Sequence, residues 1–166
     1  MSDDYSVKIQ QMIDRQEIQD VLLRYCRGVD RGDVEMIRSA YHADAIDDHG
    51  IWKGPGVDFA SWIVDMLKDS RQTMHMIGNS SIELDGNVAY GETYCLSVHD
   101  GGKDHQAVYN RYVDRFEKRD GKWAIASRKV VFDISHNIPA GVPYGKDLSE
   151  PLTWGRRDKL DPSYRP

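Results

Sequence analysis

In Thr73-Met74-His75-Met76-Ile77-Gly78-Asn79-Ser80-Ser81-Ile82-Glu83-Leu84-Asp85-Gly86-Asn87 the apolar period drops to two. Met74, Met76, Gly78, Ser80, Ile82 and Leu84 alternate, or nearly so, up to an Asp85-Gly86-Asn87 turn, which reads as a strand entering a β-hairpin. Val88 to His99 is the returning strand, ended by the loop Asp100-Gly101-Gly102-Lys103-Asp104. Two more strands, Gln106 to Lys118 and Lys122 to Ile134, are joined by Arg119-Asp120-Gly121.

Upstream the period is that of helices. From Val7 to Val29, the residues Ile9, Met12, Ile13, Ile18, Val21, Leu22, Tyr25, Cys26 and Val29 recur at three- and four-residue steps, which predicts an amphipathic helix. Gly28 and the Asp30-Arg31-Gly32 turn end it, and Asp33 caps a shorter helix carrying Val34, Ile37, Ala40 and Tyr41. His42 to His49 with Ile51 and Trp52 read as a short strand, Lys53-Gly54-Pro55-Gly56 as a turn, and Phe59, Ile63, Met66 and Leu67 as a third helix. Helices followed by a meander of long strands predict an α+β domain over residues 1–135, with the helices covering one face of a curved, mostly antiparallel sheet. Residues 136–166 hold five of the six prolines and form a tail. Leu148, Leu152, Trp154, Leu160 and Tyr164 favour its docking over a pocket or a neighbouring subunit, against the alternative of terminal disorder.

With 22 Lys+Arg against 27 Asp+Glu and 40% hydrophobic residues, the chain has the composition of one acidic globular domain, long enough to build a core around a pocket without a staple. The net charge of −5 argues against nucleic acid as partner. No apolar run reaches membrane-span length, Met1-Ser2-Asp3-Asp4 lacks the order of a signal peptide, and Cys26 and Cys95 read as reduced core thiols. A cytoplasmic protein is expected.

Nucleotide and zinc signatures are missing: Gly54-Pro55-Gly56 lacks a third glycine, Gly101-Gly102-Lys103 is not followed by Ser or Thr, and there is no Cys-x-x-Cys. His42, Asp44, Asp47, Asp48 and His49 lack a fixed ligand spacing and read as a solvated acidic edge, so no metal is expected. More informative are polar residues where the pattern asks for apolar ones. Asp30 alone reads as a helix-terminus aspartate, and His75 alone as a satisfied core histidine. Because the sheet packs on the helical layer, an inward His75 can meet Asp30 across a pocket mouth, and a carboxylate bonded to an imidazole fixes its tautomer and primes a general base. On the second hairpin strand Gly91, Thr93, Cys95, Ser97 and His99 share a face, and on the third Val108, Asn110, Tyr112 and Asp114 do. Such residues fill a core poorly but suit a cavity wall, with His99 and Asn110 the expected polar contributors, unless these faces meet water or another subunit.

Ile18-Gln19-Asp20-Val21-Leu22-Leu23-Arg24-Tyr25-Cys26-Arg27-Gly28-Val29-Asp30, Lys53-Gly54-Pro55, Thr73 to Asn79, and Tyr112 through Trp123 together resemble SnoaL-like proteins of the nuclear-transport-factor-2-like superfamily. Within it the chain is most similar to the group holding scytalone dehydratase, hexachlorocyclohexane dehydrochlorinase and bile-acid 7α-dehydratase. The resemblance spans Ile9 to Ile134. It implies a cystatin-like cone enclosing a hydrophobic substrate, no metal or organic cofactor, Asp30 and His75 as catalytic dyad, and homo-oligomers, a trimer or a dimer, formed through the outer sheet face, where Tyr90, Tyr94 and Tyr109 fit. Tyr25 matches a substrate-contacting tyrosine of the bile-acid enzyme, although ordinary helix packing would also explain it. His99 and Asn110 lie where scytalone dehydratase has a histidine and an asparagine. His49 stands near a tyrosine of those dehydratases, and Arg128 near a basic pocket residue of some relatives, although alone it reads as a surface arginine. The implied reaction is proton abstraction from a hydrophobic cyclic molecule by a lyase or isomerase. Two alternatives stay open: a non-catalytic binding or assembly module, and a polyketide cyclase or ketosteroid-like isomerase.

Overall fold

The computed structural model of the chain describes residues 2–141 and 152–164. Three helices, α1 (Ser2–Arg31), α2 (Val34–Arg38) and α3 (Gly56–Met66), lie among strands β1 (Tyr41–Asp48), β2 (Lys53–Pro55), β3 (Gln72–Asp85), β4 (Val88–Asp100), β5 (Asp104–Arg119) and β6 (Lys122–Pro139). The strands form one open sheet in the order β2-β1-β6-β5-β4-β3. It is mixed: β1 runs parallel to β6, and every other pair is antiparallel. N-terminal helices packed on such a sheet make the expected α+β architecture. Among the described residues no helix is long and apolar enough to cross a membrane.

The helical stripe of α1 is half as long as its pattern. Ile18, Val21, Leu22, Tyr25, Cys26 and Val29 are buried, but residues 4–13 are exposed, Ile9, Met12 and Ile13 included. The helix meets the core only from Asp14, whose carboxylate takes the Trp123 indole N–H at 2.9 Å and the Lys118 ammonium at 2.7 Å. Gly32, at φ +62°, ends α1 in the left-handed region that glycine tolerates. Asp33 then caps α2, accepting the Met36 N–H at 3.1 Å. Gly28 lets the two helices meet, since a Cβ there would lie 2.8 Å from Ile37 Cγ1.

Lys53–Pro55, expected as a turn, is a three-residue strand paired with Ile46–Asp48, because the reversal falls earlier, at Gly50 with φ +75°. The single alternation expected along β3 is broken. Asn79, at φ +43°, sits in a bulge between Gly78 and Ser80. Before it Thr73, His75 and Ile77 turn inward and Met74 and Met76 are about half exposed; after it Ile82 and Leu84 pack on the core. A one-residue bulge flips every later side chain to the opposite face. Further bulges at Tyr109/Asn110 and Arg115/Phe116 bend the β5–β6 ladder.

Strand β6 continues to Pro139, pairing His136 with Ala107, so regular structure outlasts the tail boundary expected at residue 136. Leu148 lies outside the described residues. Leu152, Trp154 and Leu160 are exposed, and polar groups tie segment 152–164 to the end of α1 and the cap of α2: Arg27 donates to the Ser163 carbonyl at 2.8 Å, Arg31 to the Arg156 carbonyl at 3.2 Å, and Tyr164 Oη to Asp33 at 2.9 Å.

Candidate active site

Between the helices and the inner sheet face lies a cavity of about 380 Å³. Its apolar wall includes Val29, Ile63, Leu67, Val108, Val130 and Phe132. Its polar lining includes Tyr25, His49, His75, His99 and Asn110, so five of the seven side chains singled out in the sequence face one space.

Asp30, the penultimate residue of α1, is buried against the start of β3. Its Oδ1 takes the His75 Nδ1 proton at 2.6 Å and the Thr73 hydroxyl at 3.0 Å; its Oδ2 takes the His75 backbone N–H at 2.9 Å. Three donors from one strand hold the carboxylate, so the helix end and the sheet are locked together at this point. With Nδ1–H committed to Asp30, the other nitrogen, Nε2, belongs to a ring that lines the cavity. Thr73 was missed in the sequence, although it shares the inner face of β3 two residues before His75. Arg157, with no sequence signal at all, donates from the C-terminal segment to Thr73 Oγ1.

His99 lies with its ring centroid 5.9 Å from that of His75. Burial first, then the neighbouring His75, push its imidazole down to about 4, so it is neutral at neutral pH. His99 Nε2 and Asn110 Oδ1 are buried and have no hydrogen-bond partner among the described residues. They are the polar atoms of the cavity wall left for a ligand to satisfy.

Strand β1 departs from its reading as a solvated acidic edge, since it lies between β2 and β6. Asp47 is fully buried, taking the Tyr41 hydroxyl at 2.6 Å and the His49 Nδ1 proton. His49 stacks on Phe59 at 4.1 Å, and its Nε2 lies 3.3 Å from Tyr25 Oη. Burial pushes the Tyr25 phenol well above its ordinary value, against the pull of Arg128, so it is a neutral hydroxyl.

Arg128 is neither a surface arginine nor, among the described residues, part of the cavity lining: it is 2% exposed and lies beneath the wall. Asp114 receives it in a two-pronged pair, Nε to Oδ1 at 2.8 Å and Nη2 to Oδ2 at 2.6 Å. Its guanidinium sits 4.2 Å from the Tyr25 ring centroid and 4.0 Å from that of Tyr112. Burial pushes the Asp114 carboxyl up against the pull of Arg128, but a bidentate contact at these distances requires both charges. The pattern of β6 hid this, since Arg128 stands beside Lys129 as one of two adjacent basic residues. Cys26 and Cys95 are free, buried thiols, both pushed up by burial.

The architecture recurs in known proteins. An uncharacterized protein of Mycobacterium tuberculosis is 26% identical over 128 residues, 74% of this chain and 87% of that one. Three solved structures share the fold. A scytalone dehydratase-like protein of Novosphingobium aromaticivorans superposes with a TM-score of 0.70 at 18% identity, covering 84% of this chain and 98% of the other. A hexachlorocyclohexane dehydrochlorinase of Novosphingobium barchaimii gives 0.73 at 20%, covering 84% and 99%. A Nostoc punctiforme protein of unknown function with a cystatin-like fold gives 0.65 at 23%, covering 73% and 92%. The SnoaL-like domain matches residues 10–129, and with well over half of its length so matched, the chain belongs to the SnoaL-like family.

Proposed function

We propose that the protein is an acid–base lyase or isomerase acting on a hydrophobic cyclic small molecule, with Asp30 and His75 as its catalytic pair. The observation carrying this reading is the 2.6 Å contact of Asp30 Oδ1 with His75 Nδ1 at the wall of a largely apolar cavity. His75 Nε2 takes a proton from a carbon next to an activating group. Asp30 holds the ring in the Nδ1–H tautomer and stabilises the imidazolium, while the electron pair left on carbon expels a leaving group or shifts a double bond. His99 and Asn110, with unsatisfied buried atoms, bind the polar part of the substrate. The exclusion of water by the apolar wall strengthens each of these interactions.

Two Novosphingobium fold neighbours, named as dehydratase-like and as dehydrochlorinase, support elimination as the reaction class. The C-terminal segment, touching Thr73 beside the pair, supports a closing role for the tail. The exposed outer-face residues Tyr90, Tyr94 and Tyr109 support self-association, and the free buried thiols a reducing compartment. The test is elimination of acetate from β-acetoxydecalone, followed by enone absorbance. Turnover by the wild type should fall about 10²–10⁴-fold in His75→Ala with the fold retained. Full turnover in that variant removes His75 from the mechanism, and a decalone that binds without turnover leaves a binding module.

A further inference from the structure

The cavity holds a second carboxylate–imidazole pair, which the proton abstraction does not use. Asp47 is fully buried and its compensation is local: the Tyr41 hydroxyl on Oδ2 and the His49 Nδ1 proton on Oδ1. His49 points its other nitrogen at Tyr25 Oη, 3.3 Å away, and both side chains line the cavity that His75 lines. Two histidines, each held by its own buried aspartate through Nδ1, thus turn their Nε2 sides toward one substrate space.

We infer that Asp47, His49 and Tyr25 form a proton-delivery arm that protonates an oxygen leaving group, and that the reaction at this site is loss of water from a hydroxylated substrate. The inference rests on the proposed role of Asp30 and His75. In the imidazolium state, which Asp47 stabilises, His49 Nε2–H donates to the Tyr25 oxygen, and the phenol O–H is free to donate to a substrate hydroxyl. When the carbon–hydrogen bond breaks, its proton goes to His75 Nε2 and its electron pair forms the carbon–carbon double bond. The carbon–oxygen bond breaks with its pair staying on oxygen, which takes the Tyr25 proton, and Tyr25 takes the Nε2 proton of His49. Water leaves, His75 ends protonated and His49 neutral, and exchange with solvent restores both. No phenolate accumulates, in keeping with a tyrosine that sits buried and neutral. Hydroxide is a very poor leaving group, whereas a halide or carboxylate departs without a proton. Among these leaving groups, an acid arm is therefore of use where oxygen leaves as water.

The experiment compares β-hydroxydecalone with β-acetoxydecalone, which share skeleton, acidic carbon and product and differ in the group that leaves. In His49→Gln the ratio of the hydroxy rate to the acetoxy rate should fall about tenfold or more, and Tyr25→Phe, which keeps the ring over Arg128, should lower the same ratio. His75→Ala should lower both rates together. An unchanged ratio in His49→Gln, or in Tyr25→Phe, overturns the arm while leaving the base intact. Wild-type turnover of the acetoxy compound with none of the hydroxy compound also overturns it. Turnover of neither compound counts against the Asp30–His75 reading itself.

Discussion

Replacing Arg128 by Met should destabilise the fold severely. Arg128 is 2% exposed, and its guanidinium makes both prongs of its pair with Asp114 at 2.8 and 2.6 Å and lies about 4 Å from two tyrosine rings. A methionine of similar length keeps most of the packing but leaves the Asp114 carboxylate buried without a counter-charge. Breaking one side of such a pair costs about 3–5 kcal/mol. At about 2–4 °C per kcal/mol for a chain of this size, the midpoint of thermal unfolding should drop by about 6–20 °C. The loss depends on pH with a definite sign. Burial already pushes the Asp114 carboxyl up, and without Arg128 it rises further above its unfolded value. The folded state then holds a proton that the unfolded state releases, so the variant is least destabilised in acid and loses stability as pH rises toward neutrality. Adding Asp114→Leu removes the orphaned charge and should recover most of the loss. Urea unfolding of wild type, single and double variants measures all of this. A single-variant loss below about 1 kcal/mol, or no recovery in the double variant, would refute the ionised buried pair.

Three further outcomes are expected. His99, pushed down to about 4 from an ordinary 6.5, contributes stability that is present above the higher value and is lost as pH falls through the lower; acid unfolding curves should lose this limb in His99→Gln. Asn79→Val puts a β-branched residue at φ +43° and should cost about 1–2 kcal/mol in urea unfolding, with Asn79→Gly near neutral. Arg157→Ala removes the donor to Thr73 and loosens one of the Asp30 partners. At about 0.5–1.5 kcal/mol the elimination rate should fall roughly two- to twelvefold with KM little changed.

The order of elements was legible because the helical stripes lie before Arg71 and the long alternating strands after it, and because Gly32, Asp33 and Asp85-Gly86-Asn87 carry the turn chemistry that their positions need. What escaped the sequence depended on the third dimension. Residues 4–13 keep a helical stripe but stay exposed among the described residues, and no local pattern announces where a helix outruns its sheet. The Asn79 bulge reverses the alternation of β3 without any change in composition, and so places His75 inward in the company of Thr73 while exposing Met74 and Met76. Asp30, His75, His99 and Asn110 were legible as polar residues in apolar positions. Asp47 was not: its burial comes from Tyr41, six residues before it, and His49, two after, in a run whose charge density reads as surface. The polar anchoring of segment 152–164 was hidden too, since its apolar residues drew attention, whereas the contacts are made by its backbone carbonyls, by the Tyr164 hydroxyl and by Arg157 and Asp161.

The central claim is that His75, held by Asp30, takes a proton from carbon, and it can be measured without any leaving group. In heavy water, proton NMR follows exchange of the hydrogens beside the carbonyl of plain decalone. The account predicts exchange catalysed by the wild type and reduced to background in both His75→Ala and Asp30→Asn. Exchange at the wild-type rate in either folded variant would contradict it.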